Sequence, residues 1–136
     1  MIGIILCGHG EFSKGMRSAV ELIAGKQEAF INLDFTPEMT PDTFGNQIEA
    51  AIHSLENKIG TLIFTDLVGG TPYKESVQQA LKFDNVRVIT GTNVSMLLET
   101  ALRRPTVYDL NRFVKGIVET GSNQVLAFDI NDLNFY

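Results

Sequence analysis

Four strand-length apolar runs, each followed by a stretch of helical period, constrain what this chain can fold into. They are IGIILC (2–7), FINLDF (30–35), TLIFTDL (61–67) and NVRVIT (85–90). The first is apolar throughout and closes on Gly8, as a strand buried on both faces does. Strands that alternate with helices build a mainly parallel sheet, because each parallel connection needs a crossover long enough to hold a helix. The expected fold is α/β and doubly wound, with helices on both faces and strand order 2-1-3-4. QVLAFDI (124–130) is a further strand candidate. It follows two successive helical segments, so it is expected antiparallel at an edge, either in its own protomer or exchanged into a neighbour. No repeat, low-complexity run or linker divides residues 1–136, which read as one domain.

The intervening stretches carry their own start and stop signals. Met16, Ala19, Val20 and Ile23 share a helical face, and Gly25 is placed to stop that helix. Thr40 is a capping residue, Pro41 suits the first helical position and Asp42 the first turn. Phe44, Ile48, Ala51, Ile52 and Leu55 form the stripe of the second helix, with His53 off it. Thr71–Pro72 repeats the cap-then-proline pattern, and Tyr73, Val77, Ala80 and Leu81 are expected inward. Asn93 reads as a further cap, and Val107, Leu110, Val114 and Ile117 as the inner stripe of the last helix.

Several function classes are disfavoured. Eleven Lys and Arg against sixteen Asp and Glu give a net charge of −5 without a basic stripe, so nucleic acid is not an expected partner. No apolar run approaches the roughly 20 residues of a membrane span, and the N-terminus lacks the basic stretch of a signal peptide. The single cysteine, Cys7, reads as core, and no disulfide framework exists. A cytoplasmic setting is expected. Two histidines and one cysteine at this spacing build no zinc site, and no metal or cofactor is expected. The P-loop, dinucleotide and nucleophile-elbow motifs are absent.

In a doubly wound sheet, function gathers at the carboxyl ends of the strands where strand order reverses. Strand one ends in Gly8-His9-Gly10. Strand three ends in Thr65-Asp66 and runs into Leu67-Val68-Gly69-Gly70-Thr71-Pro72, and Gly91-Thr92-Asn93 follow strand four. With order 2-1-3-4, His9 and Asp66 face each other. An unprotonated imidazole is a nucleophile. A carboxylate on one ring N–H fixes the tautomer, leaves the other nitrogen's lone pair outward and stabilises the charge that develops on attack. Gly8, Gly10, Gly69 and Gly70 clear the approach and offer backbone N–H groups. Two helix starts converging there favour an anion, each by about 0.3–1 kcal/mol, and Thr71 adds a hydroxyl. The arrangement suits a phosphoryl group carried on His9. Plain structural roles stay open for each residue: a strand-end histidine on a carbonyl, an aspartate in a turn, glycines in a loop.

GHGEFSKGM, TDLVGGTPY and ITGTNVSMLLE, in this order and spacing, resemble the IIA components of the mannose-type phosphoenolpyruvate-dependent sugar phosphotransferase systems. In detail, GHG-x-F-x-x-GM with TDL-x-GGTP looks most like the branch serving N-acetylgalactosamine and galactosamine. The resemblance implies a phosphocarrier that accepts phosphate from HPr on Nε2 of His9, with Asp66 as its hydrogen-bonded acidic partner and Thr71 as the loop hydroxyl. It implies transfer onward to a IIB subunit of a IIC/IID permease, with no metal or cofactor. It also implies a homodimer in which the last strand, matching QVLAFDI, crosses to the other protomer, and a IIB on a separate polypeptide. Phe12, Lys14, Met16 and Arg17, beside His9, are the expected partner surface. Other readings are a phosphocarrier for a dihydroxyacetone kinase and a flavodoxin-like binding module without chemistry. A histidine phosphatase would want an Arg immediately before the His-Gly, where Cys7-Gly8 stand instead.

Overall fold

A computed structural model describes residues 1–131. Its elements alternate as expected: β1 (Gly3–His9), α1 (Phe12–Ala24), β2 (Phe30–Phe35), α2 (Pro41–Ser54), β3 (Thr61–Thr65), α3 (Thr71–Ala80), β4 (Val86–Ile89), α4 (Val94–Arg103), a 3-10 turn (Arg104–Thr106) and α5 (Leu110–Ser122). The four strands form one parallel sheet in the order β2-β1-β3-β4. β1 registers against β2 from Ile4↔Phe30 to His9↔Phe35, and against β3 from Gly3↔Thr61 to Cys7↔Thr65.

The alternation along β1 and β3 splits the core into two layers. Ile2, Ile4, Leu6, Leu62 and Phe64 meet Val20, Leu97, Phe113 and Ile117 from α1, α4 and α5. Ile5, Cys7 and Ile63 meet Phe44, Ile48, Ala51 and Ile52 of α2 on the other face. Helix ends follow their local chemistry. Thr40 accepts a hydrogen bond from the Thr43 N–H at 3.2 Å with Pro41 behind it. Gly25 ends α1 at φ +85°, and Asn93 caps α4 by accepting from the Met96 N–H at 3.2 Å.

Several expectations are corrected. On α1, Ile23 is exposed, and the buried side chains are Ser13 and Val20. On α3, Leu81 is exposed and Pro72, Ser76 and Gln79 face inward. The helix lies close over the sheet, with Ser76 Oγ 3.4 Å from Cys7 Sγ, so a small hydroxyl takes the place expected for a larger apolar side chain. β3 stops at Thr65 instead of running to residue 67. Residues 124–130 form no strand here, and the sheet of the described residues has four parallel strands without an antiparallel edge strand. Arg104 is a buried charge that periodicity does not reveal. Its guanidinium donates to the Ile2 and Ala29 carbonyls at 3.0 Å each, to Gln27 Oε1 at 3.1 Å and to the Glu28 carbonyl, tying the start of β1 to the entry of β2. Among the described residues, no helix is long and apolar enough to cross a membrane.

Candidate functional site

His9 is the last residue of β1, and its side chain is 46% exposed. Asp66 follows β3 directly, and its side chain is 10% exposed. One carboxylate oxygen, Oδ2, accepts twice from His9: from the backbone N–H at 2.9 Å and from ring Nδ1 at 2.7 Å. The other, Oδ1, accepts from the Leu67 N–H at 2.8 Å. Burial alone would raise the Asp66 pKa. The backbone and ring N–H groups of His9, the Leu67 N–H and the electrostatic attraction of the adjacent imidazole outweigh it, and the carboxyl is held below its ordinary value. An ionised carboxylate only accepts, so in the neutral imidazole Nδ1 carries the proton and Nε2 keeps its lone pair.

Two glycines make this geometry possible by leaving space. A Cβ on Gly8 would stand 3.1 Å from Asp66 Cγ and 2.6 Å from Phe12 Cδ1, so its absence lets the carboxylate reach beneath the imidazole. A Cβ on Gly70 would stand 2.6 Å from His9 Cε1 and 3.1 Å from Nε2. The start of α3 is therefore packed against the edge of the ring that bears the free lone pair. Gly10 and Gly69 have open surroundings and serve through backbone conformation, with φ of +55° and +87°. The Gly10 N–H is not available to a ligand, because it donates to the Phe35 carbonyl at 2.8 Å and extends the β1–β2 ladder. The edge of Phe35 packs on the imidazole with ring centres 6.1 Å apart.

Thr71 is not the helix cap. Gly70, extended at φ −80° and ψ 171°, takes that position without a side-chain hydrogen bond, and Thr71 is the first helical residue. A helix leaves its first-turn N–H groups without intrahelical partners. At α3 Pro72 carries no N–H, and the start of the helix, with the positive end of its dipole, adjoins the imidazole through Gly70. α1 likewise starts at Phe12 without a side-chain cap from Glu11.

The residues expected to form a partner surface separate into two groups. Lys14 is exposed and pairs loosely with Glu11 at 3.5 Å. Phe12 and Met16 are half-buried against the core. Arg17 turns toward β2: its guanidinium lies 4.8 Å above the Phe30 ring and donates to the Phe30 carbonyl at 2.8 Å and to Asn32 at 3.1 Å. It fastens α1 to β2. Leu67 and Val68 were not anticipated as surface features. They are 53% and 66% exposed, between Asp66 and the glycine pair, and two apolar residues inside a turn sequence were the available signal. His53 is exposed on α2. Cys7 is buried, and desolvation pushes its thiol up to about 12. Among the described residues no three His, Cys, Asp or Glu side chains cluster to hold a metal ion.

Fold and site together define a doubly wound α/β protein with an exposed, carboxylate-oriented histidine at its switch point. Residues 3–118 match the family model described as PTS system fructose IIA component, and the chain belongs to this family of mannose-type IIA phosphotransferase components. It is 39% identical over 99 residues to the sorbose-specific EIIA component of Lacticaseibacillus casei, covering 73% of this chain and 71% of that one. It is 29% identical over 126 residues to the mannose-specific EIIAB component of Escherichia coli K12, covering 93% of this chain but only 39% of that longer protein. A crystal structure of phosphotransferase system component EIIA from Streptococcus agalactiae superposes with a TM-score of 0.82 at 30% identity, covering 94% of this chain and 98% of that one.

Proposed function

We propose that residues 1–136 act as one IIA domain whose His9 accepts a phosphoryl group on Nε2 from phospho-HPr and passes it to a IIB subunit. In the first step the P–N bond of the donor histidine breaks as the Nε2–P bond forms, and the donor imidazole leaves. In the second, an acceptor on IIB displaces His9 in turn. Such transfer needs positioning and charge stabilisation more than covalent help. Asp66 holds the ring and balances its positive charge, while the α3 start, the Gly69–Gly70 turn and Thr71 face the phosphoryl oxygens. The observation that carries this reading is the double acceptance by Asp66 Oδ2, which leaves Nε2 as the outward nitrogen of a half-exposed ring.

The setting is the cytoplasm, with the cognate IIC/IID permease bringing the chain to the inner membrane face. The sugar is of the mannose family, and motif detail favours N-acetylgalactosamine or galactosamine. The molecule is a homodimer in which the segment 124–130 adds to a partner's sheet. Supporting this is an apolar groove of about 460 Å³ beside β4, lined by Val77, Leu81, Phe83 and Val88, along a sheet edge with no neighbour among the described residues.

The test is mass spectrometry after incubation with phosphoenolpyruvate, enzyme I and HPr. One acid-labile, alkali-stable phosphoryl group is expected on the wild type and none on His9→Ala. A wild type that gains nothing overturns the proposal. Growth on single sugars with the neighbouring transport genes deleted tests the sugar, and sedimentation of a chain truncated after Ser122 tests the dimer.

A further inference from the structure

The loop after β4 holds a residue whose position relative to Asp66 has a consequence for the imidazole. Thr92 follows Gly91, whose φ of +68° turns the chain back over the end of the sheet. The Thr92 hydroxyl donates to the Thr65 carbonyl at 2.6 Å, and its N–H donates to the same oxygen at 3.3 Å. That carbonyl belongs to the peptide plane whose other half is the Asp66 N–H. The β3–β4 register ends at Phe64↔Ile89, so no ladder pair on that side reaches Thr65. On its other side Thr65 is paired with Cys7 in the β1–β3 ladder, and its own hydroxyl, buried without a hydrogen-bond partner, adds no hold.

We propose that Thr92 is a positioning residue: by clamping the Thr65–Asp66 peptide it aims the Asp66 carboxylate at His9 and thereby sets the Nδ1–H tautomer. The chain of contacts is continuous, from the Thr92 hydroxyl through the Thr65 carbonyl and the Asp66 carboxylate to Nδ1. Thr92 is 9% exposed and both its hydroxyl and its N–H are spent on the Thr65 carbonyl, so its effect is exerted through Asp66. A carboxylate rotated away would leave Nδ1 free to trade its proton with Nε2, and a protonated Nε2 has no lone pair for attack. The inference rests on the phosphocarrier reading for its functional consequence, but its structural half can be tested without any phosphate.

Thr92→Val keeps the shape and removes the hydroxyl; Thr92→Ser keeps the hydroxyl. In the unphosphorylated full chain, ¹⁵N spectra of the His9 imidazole report the tautomer. Thr92→Val is expected to raise the Nε2–H fraction and to slow transfer from phospho-HPr by about five- to tenfold, the scale of one misaligned hydrogen bond. Thr92→Ser is expected to return both to the wild-type range. A folded Thr92→Val with wild-type tautomer and rate overturns the proposal, as does a Thr92→Ser that behaves like Val. If Thr92→Val does not fold, Thr92→Ala is read in its place, and loss of folding in both assigns Thr92 to stability alone and overturns the proposal. Failure of the wild type to take phosphate would refute the phosphocarrier reading, while the tautomer comparison would still decide the role of Thr92.

Discussion

Gly70→Ala tests the site where an added methyl would meet the imidazole itself. The added methyl would lie 2.6 Å from His9 Cε1 and 3.1 Å from Nε2. Ordinary contact begins at 3.4 Å, so the ring or the start of α3 must yield by most of an ångström. The backbone itself has no objection, since Gly70 sits in the extended region at φ −80°. The imidazole is half-exposed and can swing outward, so the stability cost should stay below the roughly 1–3 kcal/mol of an overpacked core. Activity has no such relief. A displacement approaching an ångström at a reacting atom costs on the order of 10²-fold in rate, and the methyl also covers the path to Nε2. The assay is rapid-quench phosphorylation by phospho-HPr, with a urea melt of the same sample. The expected pattern is a large loss of transfer rate with a nearly unchanged midpoint. A Gly70→Ala protein that transfers at the wild-type rate would refute the placement of α3 against the imidazole.

Four further outcomes are expected. Asp66→Asn should slow phosphorylation of His9 by at least about tenfold through loss of the charge that balances the imidazolium. Because the Asp66 pKa is lowered on folding, its contribution to stability is present above the ordinary carboxylate range and lost as pH falls through the lowered value; acid titration of Asp66→Asn should show less destabilisation over that window than the wild type. Arg104→Ala takes this donor from the Ile2 and Glu28 carbonyls and empties the space of a fully buried side chain, and should cost roughly 2–5 kcal/mol in denaturant unfolding. Cys7, with its thiol pushed up to about 12, should resist a disulfide reagent at pH 8 in the native protein and react at once in urea.

Much of the fold was legible because local signals and tertiary needs agree. Thr40–Pro41, Gly25 and Asn93 mark helix ends that form where the capping chemistry places them. The pairing of His9 with Asp66 followed from strand order alone, since order 2-1-3-4 leaves the ends of β1 and β3 side by side. The readings that failed depend on contacts between distant segments. Nothing within α3 reveals that Ser76 and Gln79, rather than Leu81, face inward, because that depends on how closely the helix approaches Cys7. Arg17 and Arg104 look like surface charges until the entry to β2 supplies backbone carbonyls for both. Thr71 was read as a cap because threonine before proline usually caps, but Gly70 already holds the extended conformation that role requires. Thr92 was recognised only as part of a polar loop, since its partner lies at the end of the neighbouring strand, 27 residues earlier.

One oxygen of Asp66 grips His9 at two points, the main chain and the ring. The main-chain grip does not depend on the charge of the imidazole. As cargo arrives and departs and the ring's charge changes, the counter-ion has a fixed mooring and need not be found again. Each cycle then begins from the same geometry as the last, which is what a reusable phosphocarrier requires.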